Sequence, residues 1–259
     1  MVTATSAGTP IYYETAGEGT AIVLAHGAGG NAAVWFNQIA RFSREFQVIA
    51  LDHRGFGRTP APAEPFTANQ LRDDLLAVMD AQNIEQAHLV GQSMGGFTAL
   101  RTTLDAPDRV LSLTMSATSG GIVNPNPTPA LQNLAGSSAS DTSGFSTTMS
   151  QATQQRPELM QLYASIGAFN VQFEWSILSR LLAPGNAIGL EQLGAVQCPT
   201  LFLAGSEDPL FPPDLLATYV PHFGNASIQV VPDAGHSPYF EQPEAFNAHL
   251  ARHLEATTS

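Results

Sequence analysis

The sequence predicts an α/β fold in which helices flank a mostly parallel sheet. Two observations carry this prediction. Six short segments are apolar throughout instead of alternating with polar residues, as expected of strands buried on both faces of a parallel sheet. Segments with helical spacing of apolar residues lie between most of them, and regular alternation of strand and helix is typical of a doubly wound sheet.

The six predicted strands, in chain order, cover residues 21–25, 46–51, 87–90, 110–115, 200–204 and 227–231. The predicted helices cover 32–42, about 71–79, about 97–104, about 215–219 and 243–254. The alternation stops between about residues 120 and 197. Residues 124–150 are rich in Pro, Ser, Thr and Gly and are expected to be loop-like. Helical patterns at 157–166, 170–182 and 188–193 then predict a helical insertion within one α/β domain.

Composition excludes several classes of function. The chain has 259 residues, of which 44% are hydrophobic and 12% charged, a globular composition. Its net charge is −12, and all ten basic residues are Arg. This acidic balance disfavours binding to nucleic acid or to a membrane surface. The absence of Lys excludes Schiff-base chemistry and a Walker-type phosphate site.

The single cysteine and the N-terminal residues indicate where in the cell the protein is expected. The only cysteine, Cys198, cannot form an intrachain disulfide, and we expect it to pack at the start of a buried strand. The N-terminus has neither the basic residues nor the apolar core of a signal peptide, and no run is long enough to span a bilayer. A cytoplasmic location is therefore expected.

A G-x-S-x-G pattern at residues 91–95 supplies the candidate nucleophile, Ser93. The pattern alone is weak because it also arises by chance. Here it follows a predicted strand and precedes a predicted helix, which is the setting of a nucleophile elbow. Such a turn places the hydroxyl at a helix N-terminus, where the helix dipole favours developing negative charge. The simpler interpretation is a serine that caps the helix.

A serine hydroxyl becomes a good nucleophile only when a base takes its proton. His236 lies between the last predicted strand and the last predicted helix, and α/β sheets form their sites at the carboxyl ends of strands. The acid of such a triad is expected between serine and histidine in chain order. Asp208 follows the strand at 200–204, with Glu207 as the alternative. No acid follows the strand that ends at Met115, which strengthens Asp208.

A tetrahedral intermediate also requires N–H donors for its oxyanion. A Gly-rich turn at residues 26–30 follows the first predicted strand. The N–H groups of Ala28 and of Met94, the residue after the candidate nucleophile, are the natural pair of donors.

The same turn supports a different interpretation. Gly27-x-Gly29-x-x-Ala32 after a strand is similar to a dinucleotide-binding fingerprint, with Asp52 as the ribose ligand. The protein would then be a nucleotide-binding oxidoreductase. This alternative leaves the matched positions of the three triad candidates unexplained.

Taken together, the motifs resemble those of the α/β-hydrolase superfamily. His26-Gly27 looks like its oxyanion motif, residues 52–59 are similar to its D-x-R-G-x-G-x-S/T loop, residues 91–95 match its elbow, Asp208 matches its acid turn and Gly235-His236 its histidine loop. The resemblance covers nearly the whole chain outside the insertion, and the order of the motifs makes it specific.

The resemblance implies an eight-stranded, mostly parallel sheet formed by residues 1–119 and 198–259, with residues 120–197 as a helical cap over the pocket. It also places Gly27 next to the substrate. In the cap, Phe173 and Trp175, together with Phe169 and Ile177, either line an apolar pocket or simply pack the cap onto the core.

Relatives that are dehalogenases or epoxide hydrolases use Asp as nucleophile, so Ser93 argues against both activities. The resemblance implies a serine esterase that cleaves a carboxylic ester or lactone of a small, fairly apolar substrate, with no metal or organic cofactor. The alternatives are a C–C bond hydrolase, a cofactor-free haloperoxidase, a hydroxynitrile lyase or a non-catalytic small-molecule receptor. The expected partner is a small-molecule substrate, and the expected state a monomer or homodimer.

Overall fold

An eight-stranded sheet runs through the molecule in the order β1-β2-β4-β3-β5-β6-β7-β8. A computed structural model describes residues 2–61, 66–124, 126–136, 147–171 and 180–257. The strands are β1 Thr3–Ser6, β2 Thr9–Ala16, β3 Ala21–Ala25, β4 Gln47–Leu51, β5 Ala87–Gln92, β6 Val110–Ser116, β7 Thr200–Gly205 and β8 Ala226–Val231. β2 pairs antiparallel with β1 and β4, and every other pairing is parallel.

Helices cover both faces of this sheet. They are α1 Phe36–Phe42, α2 Ala68–Ala81, α3 Gly95–Asp105, α4 Pro129–Gly136, α5 Gln151–Gln154, α6 Pro157–Gly167, α7 Pro213–Ala217, α8 Pro238–Glu241 and α9 Pro243–Glu255. Successive residues of β3 contribute to different clusters: Val23 packs with α2 and α3, whereas Leu24 packs with α1 and α9. Each central strand is therefore buried on both sides, which explains its continuous apolar sequence.

The α/β fold class and the mostly parallel, eight-stranded sheet are confirmed, and all six strands predicted from apolar runs form within one or two residues of their expected ends. β1 and β2 have no such run. They lie at the antiparallel edge, where β1 alternates between exposed and buried residues. An edge strand with one solvated face needs apolar residues only at every second position.

The expectation that residues 124–150 are loop-like is wrong at α4. Pro129 occupies the first helical position, where its missing N–H costs nothing. The hydroxyl of Thr128 accepts a hydrogen bond from the N–H of Leu131 at 3.2 Å and caps the helix. Thr128-Pro129 therefore starts a helix. Composition alone does not show this, because Thr and Pro occur both in loops and at helix N-termini.

Between β6 and β7, the described residues form helices and turns, and a parallel bridge between Ile122 and Ile188 joins the two ends of this stretch. Most of the predicted helix at 170–182 lies outside the described residues. The division into a core (1–119 and 198–259) and a cap (120–197) stays a prediction. Within the described ranges, each helix is too short or too polar to traverse a lipid bilayer.

Candidate active site

Ser93 stands at the sharp turn between β5 and α3. Its φ of 49° lies in the left-handed region, which is uncommon for any residue other than glycine. Three hydrogen bonds hold the turn: the Ser93 N–H donates to the carbonyl of Ser116 at 3.0 Å, and the Ser93 carbonyl accepts from the Thr118 hydroxyl at 2.6 Å and the Gly96 N–H at 3.0 Å. The surrounding backbone therefore maintains a strained conformation at this serine, as functional turns often do.

Close backbone approach explains the glycines around this serine. A Cβ atom at Gly95 would lie 2.6 Å from the carbonyl carbon of Ala25, and one at Gly91 would lie 2.7 Å from the carbonyl carbon of Gly95. Neither backbone can move away, because the first belongs to the central strand β3 and the second to α3. The G-x-S-x-G pattern is thus a packing requirement of the turn.

The three triad candidates come together although they are far apart in sequence. His236 Nε2 lies 2.9 Å from Ser93 Oγ, and His236 Nδ1 lies 3.0 Å from Asp208 Oδ2. Asp208 and His236 are 2% and 3% exposed, so solvent does not compete for these contacts. With the proton on Nδ1 donated to the carboxylate, Nε2 is free to accept the proton of the serine hydroxyl.

The geometry also shows which of the two candidate acids, Asp208 or Glu207, contacts the histidine. Asp208 Oδ1 accepts hydrogen bonds from the N–H groups of Leu210 at 2.9 Å and Phe211 at 3.2 Å, which orient the carboxylate toward the imidazole. Glu207 is exposed, and its Oε2 accepts from the N–H of Gln151. The structure therefore brings Asp208, and not Glu207, to His236.

The two predicted oxyanion donors lie beside the serine. Ala28 and Met94 border the same small cavity as Ser93, and within the described ranges neither N–H donates to a protein acceptor. The carbonyl of Gly27, on the peptide unit that carries the Ala28 N–H, accepts from His26 Nδ1 at 2.7 Å and the Gly30 N–H at 3.1 Å. Because N–H and C=O of one peptide point in opposite directions, these two bonds fix the direction of the Ala28 N–H.

His26 has a structural role that sequence reasoning did not assign. Its Nε2 accepts the N–H of His53 at 3.0 Å while its Nδ1 donates to Gly27. Complete burial lowers the pKa of His26 to about 4, only partly opposed by the hydrogen bond to Gly27 and the charge of Asp52. The ring is therefore neutral near pH 7, as one donor and one acceptor nitrogen require.

Asp52, the ribose ligand of the alternative interpretation, is buried and already occupied. Its carboxylate accepts the N–H of Ala32 at 2.6 Å, the N–H of Arg58 at 2.8 Å and Arg58 Nε at 3.2 Å. These bonds tie the loop after β4 to the Gly-rich turn. Asp52 thus organises the turn that carries Ala28.

A mostly apolar cavity opens above the serine. Its volume is about 70 Å³, and it is lined by Ala28, Ser93, Met94, Phe97, Ser119, Leu131, Leu181, Leu182, Leu210 and Phe211. A second cavity of about 500 Å³ shares six of these residues, Phe97, Ser119, Leu131, Leu181, Leu182 and Phe211. Phe211 also stacks on the ring of His236, with centroids 5.9 Å apart. Side chains from residues 120–197 and from the rest of the chain therefore border both cavities.

The pocket residues predicted from sequence have mixed outcomes. Gly27 lies against the nucleophile, since a Cβ atom there would be 3.0 Å from the Cβ of Ser93. Phe173 and Trp175 lie outside the described residues. Phe169, for which the sequence left pocket lining and packing onto the core as alternatives, is 65% exposed and borders a different cavity with Arg58.

Comparison with known proteins identifies the family. The family model of the alpha/beta hydrolase fold matches residues 20–174, more than half of the chain. The chain belongs to the alpha/beta hydrolase fold family. The match includes the Gly-rich turn, the elbow and the start of the insertion.

Three similar proteins illustrate the range of activities around this α/β hydrolase. A putative carbamate hydrolase RutD from Azorhizobium caulinodans is 40% identical over 105 residues, a stretch that covers 40% of each chain. The structure of Est816, described as an N-acyl homoserine lactone degrading enzyme, is 27% identical, covers 97% of this chain and 99% of its own, and has a TM-score of 0.82. A thermophilic esterase from Thermogutta terrifontis is 25% identical, covers 100% and 99%, and has a TM-score of 0.85. These likenesses support a hydrolase of this fold.

Asn170 is a further residue of the hydrolase site that sequence reasoning missed. Its side-chain amide donates to the carbonyl of Gly29 at 2.7 Å and accepts the N–H of Gly57 at 2.8 Å. The insertion is thereby fastened to the Gly-rich turn that carries Ala28. Because Asn170 lies 141 residues from Gly29 in sequence, no local pattern could indicate this contact.

Proposed function

We propose that this α/β hydrolase cleaves a neutral, largely apolar carboxylic ester or lactone through an acyl-enzyme on Ser93. The observation that carries the proposal is the chain of hydrogen bonds from Asp208 through His236 to the Ser93 hydroxyl, which ends at an apolar cavity. Nucleophile, base and orienting acid within hydrogen-bond reach of one another define a serine-hydrolase site by geometry.

The proposed reaction proceeds in two steps. In the first, Ser93 Oγ attacks the carbonyl carbon while His236 Nε2 takes the hydroxyl proton. The N–H groups of Ala28 and Met94 donate to the oxyanion, and His236 then protonates the departing alcohol oxygen. In the second, His236 deprotonates a water that attacks the acyl carbonyl, which releases the carboxylic acid and returns the proton to Ser93. Asp208 stabilises the imidazolium formed in both steps.

The charges around the cavity favour an uncharged substrate. In the sequence, residues 120–197 contain only two basic residues, Arg156 and Arg180. Arg156 is exposed and paired with Glu158, and Arg180 is exposed. No cationic side chain is among the described residues that line the two cavities. A substrate carboxylate would therefore enter an apolar site without a counter-charge, which costs several kcal/mol.

We also propose that residues 120–197 form a cap whose side chains shape the substrate pocket. Leu131 and Leu181 from this stretch line both cavities together with Phe97 and Phe211. Ester, lactone and carbamate all present a carbonyl carbon to the same triad, so this apolar lining, and not the catalytic groups, would select among them.

Two matched substrates test the proposal. 4-Nitrophenyl butyrate and the 4-nitrophenyl half-ester of succinic acid have acyl chains of the same length, and only the second carries a terminal carboxylate. We expect kcat/KM to favour the butyrate by about 100-fold or more. Lactones and aryl carbamates of matched size complete the panel. A preference for the succinate ester would contradict a neutral-substrate pocket.

Ser93→Ala tests the chemistry in the same assay. We expect kcat to fall by about 10⁴-fold or more, because removing the nucleophile abolishes the acyl-enzyme route. Ser227→Ala, which removes an exposed hydroxyl on β8, is the matched control. Ligand-induced stabilisation without turnover in the wild-type protein would favour a receptor instead.

A further inference from the structure

Glu241 carries a buried carboxylate that the proposed reaction does not use. It is 2% exposed, ends α8 and takes no part in the ion pairs found among the described residues. A buried carboxylate is costly unless donors satisfy its oxygens. Here three backbone N–H groups satisfy the oxygens. The positions of these three groups in the chain indicate what Glu241 does.

Two of these N–H groups flank the histidine. Glu241 Oε1 accepts from the N–H of Gly235 at 3.0 Å and from the N–H of Ser237 at 3.0 Å. One carboxylate oxygen therefore holds the N–H groups of the residues immediately before and after His236. The imidazole can point at Ser93 only while the backbone on both sides keeps this arrangement.

The third N–H belongs to the insertion. We call residues Thr148–Gln151 the strap. Glu241 Oε2 accepts from the N–H of Ser150 at 2.8 Å, and the N–H of His236 donates to the carbonyl of Thr148 at 2.9 Å. The strap also lies against Gly235, where a Cβ atom would be 2.6 Å from Met149 C. The histidine loop and the strap thus share one carboxylate.

We infer that Glu241 is a positioning residue that aligns His236 with Ser93 by joining the histidine loop to the strap. The inference rests on the proposed role of His236 as base. It adds a residue that acts on the imidazole through the backbone on either side of His236.

Glu241→Gln is the first test. An amide has a single oxygen acceptor, and its NH₂ group cannot accept, so the substitution leaves N–H groups of the loop or the strap without a partner. We expect kcat/KM for 4-nitrophenyl butyrate to fall about 10- to 100-fold with KM little changed, because Glu241 does not line either cavity.

Two further variants separate positioning from a general loss of structure. Glu241→Asp keeps both acceptor oxygens of the carboxylate and should recover part of the lost kcat/KM. Glu244→Gln removes an exposed carboxylate three residues further along the chain and should leave kcat/KM unchanged. Thermal unfolding of each variant records its stability independently of the rate.

The strap itself is tested at Ser150, whose φ of −58° is one that proline adopts. Ser150→Pro and Ser150→Ala both remove the hydroxyl that caps α5, but only proline removes the N–H that donates to Glu241. We expect the proline variant to lose severalfold more kcat/KM than the alanine variant. If Glu241→Gln does not fold, this pair of variants still tests whether the hydrogen bond from the strap to Glu241 supports the rate.

Two outcomes would overturn the inference. One is a folded Glu241→Gln protein with the kcat/KM of the wild type. The other is equal activity of Ser150→Pro and Ser150→Ala. Full activity of Ser93→Ala or His236→Ala would instead contradict the proposed function, so the two failures are distinguishable.

Discussion

The elbow and the histidine loop meet at one hydrogen bond but are held in different ways. The elbow, residues 91–96, is held by the sheet and by α3: its glycines touch the backbones of β3 and α3, and the Ser93 N–H donates to the carbonyl of Ser116 in β6. The histidine loop, residues 233–238, is fixed by hydrogen bonds to Glu241 and to the strap. The nucleophile therefore depends on the central strands of the sheet, whereas the base depends on one buried carboxylate and on the strap.

This difference makes two glycine substitutions informative, because neither Gly95 nor Gly235 has a positive φ. Alanine is allowed by the backbone at both positions, and only the neighbours differ. At Gly95 the neighbour is a central strand of the sheet. At Gly235 the neighbour is the strap, which lies in the insertion.

Gly95→Ala should have the largest effect. Its new methyl group would overlap the carbonyl group of Ala25 in β3, which is paired on both sides within the sheet. We expect a loss of about 3 kcal/mol or more in the free energy of unfolding, measured by chemical denaturation. A variant of wild-type stability would show that the elbow does not depend on this contact.

Gly235→Ala should have a smaller effect on stability and a larger one on rate. The methyl group would displace Met149 and Ser150, which can shift without moving a strand. We expect less destabilisation than in Gly95→Ala, with kcat reduced about tenfold or more because His236 moves with the strap. Equal destabilisation of the two variants, measured side by side, would show that the strap yields no more easily than the central strand.

Acid should lower the free energy of unfolding through two buried histidines, His26 and His88. Burial lowers the pKa of His26 and of His88 to about 4, whereas an unfolded chain protonates histidine near pH 6.5. Between these values the unfolded chain binds more protons, so the free energy of unfolding falls as the pH drops from 6.5 to 4. The loss is roughly 3 kcal/mol per histidine at pH 4.

The matched variants for this prediction are His88→Gln and His222→Gln. His88 is buried in β5, where Nδ1 contacts the hydroxyl of Ser112, and His222 is exposed. Denaturation at several pH values should show a shallower dependence on pH for His88→Gln and an unchanged one for His222→Gln. If the free energy of unfolding depended on pH in the same way in the wild type and both variants, buried His88 would not be a cause of the acid sensitivity.

The sequence predicted the parts of the site that follow strand ends. Ser93, Asp208 and His236 could be proposed because each lies directly after an apolar run, and parallel strands bring those ends to one edge. Asn170 and Glu241 could not, because neither lies directly after an apolar run, and the contacts of Asn170 with Gly29 and of Glu241 with Ser150 span 141 and 91 residues. Their hydrogen bonds are to backbone groups, which leave no trace in the partner's side-chain pattern.

The role of Ser93 as nucleophile is tested by mass spectrometry of the protein after reaction with a neutral fluorophosphonate, which modifies activated serines. The triad geometry predicts a single adduct, located on Ser93 by peptide mapping, with hydrolysis lost in proportion to labelling and no adduct in Ser93→Ala. Complete loss of activity with the adduct on another serine, or full turnover with Ser93 modified, would contradict the account.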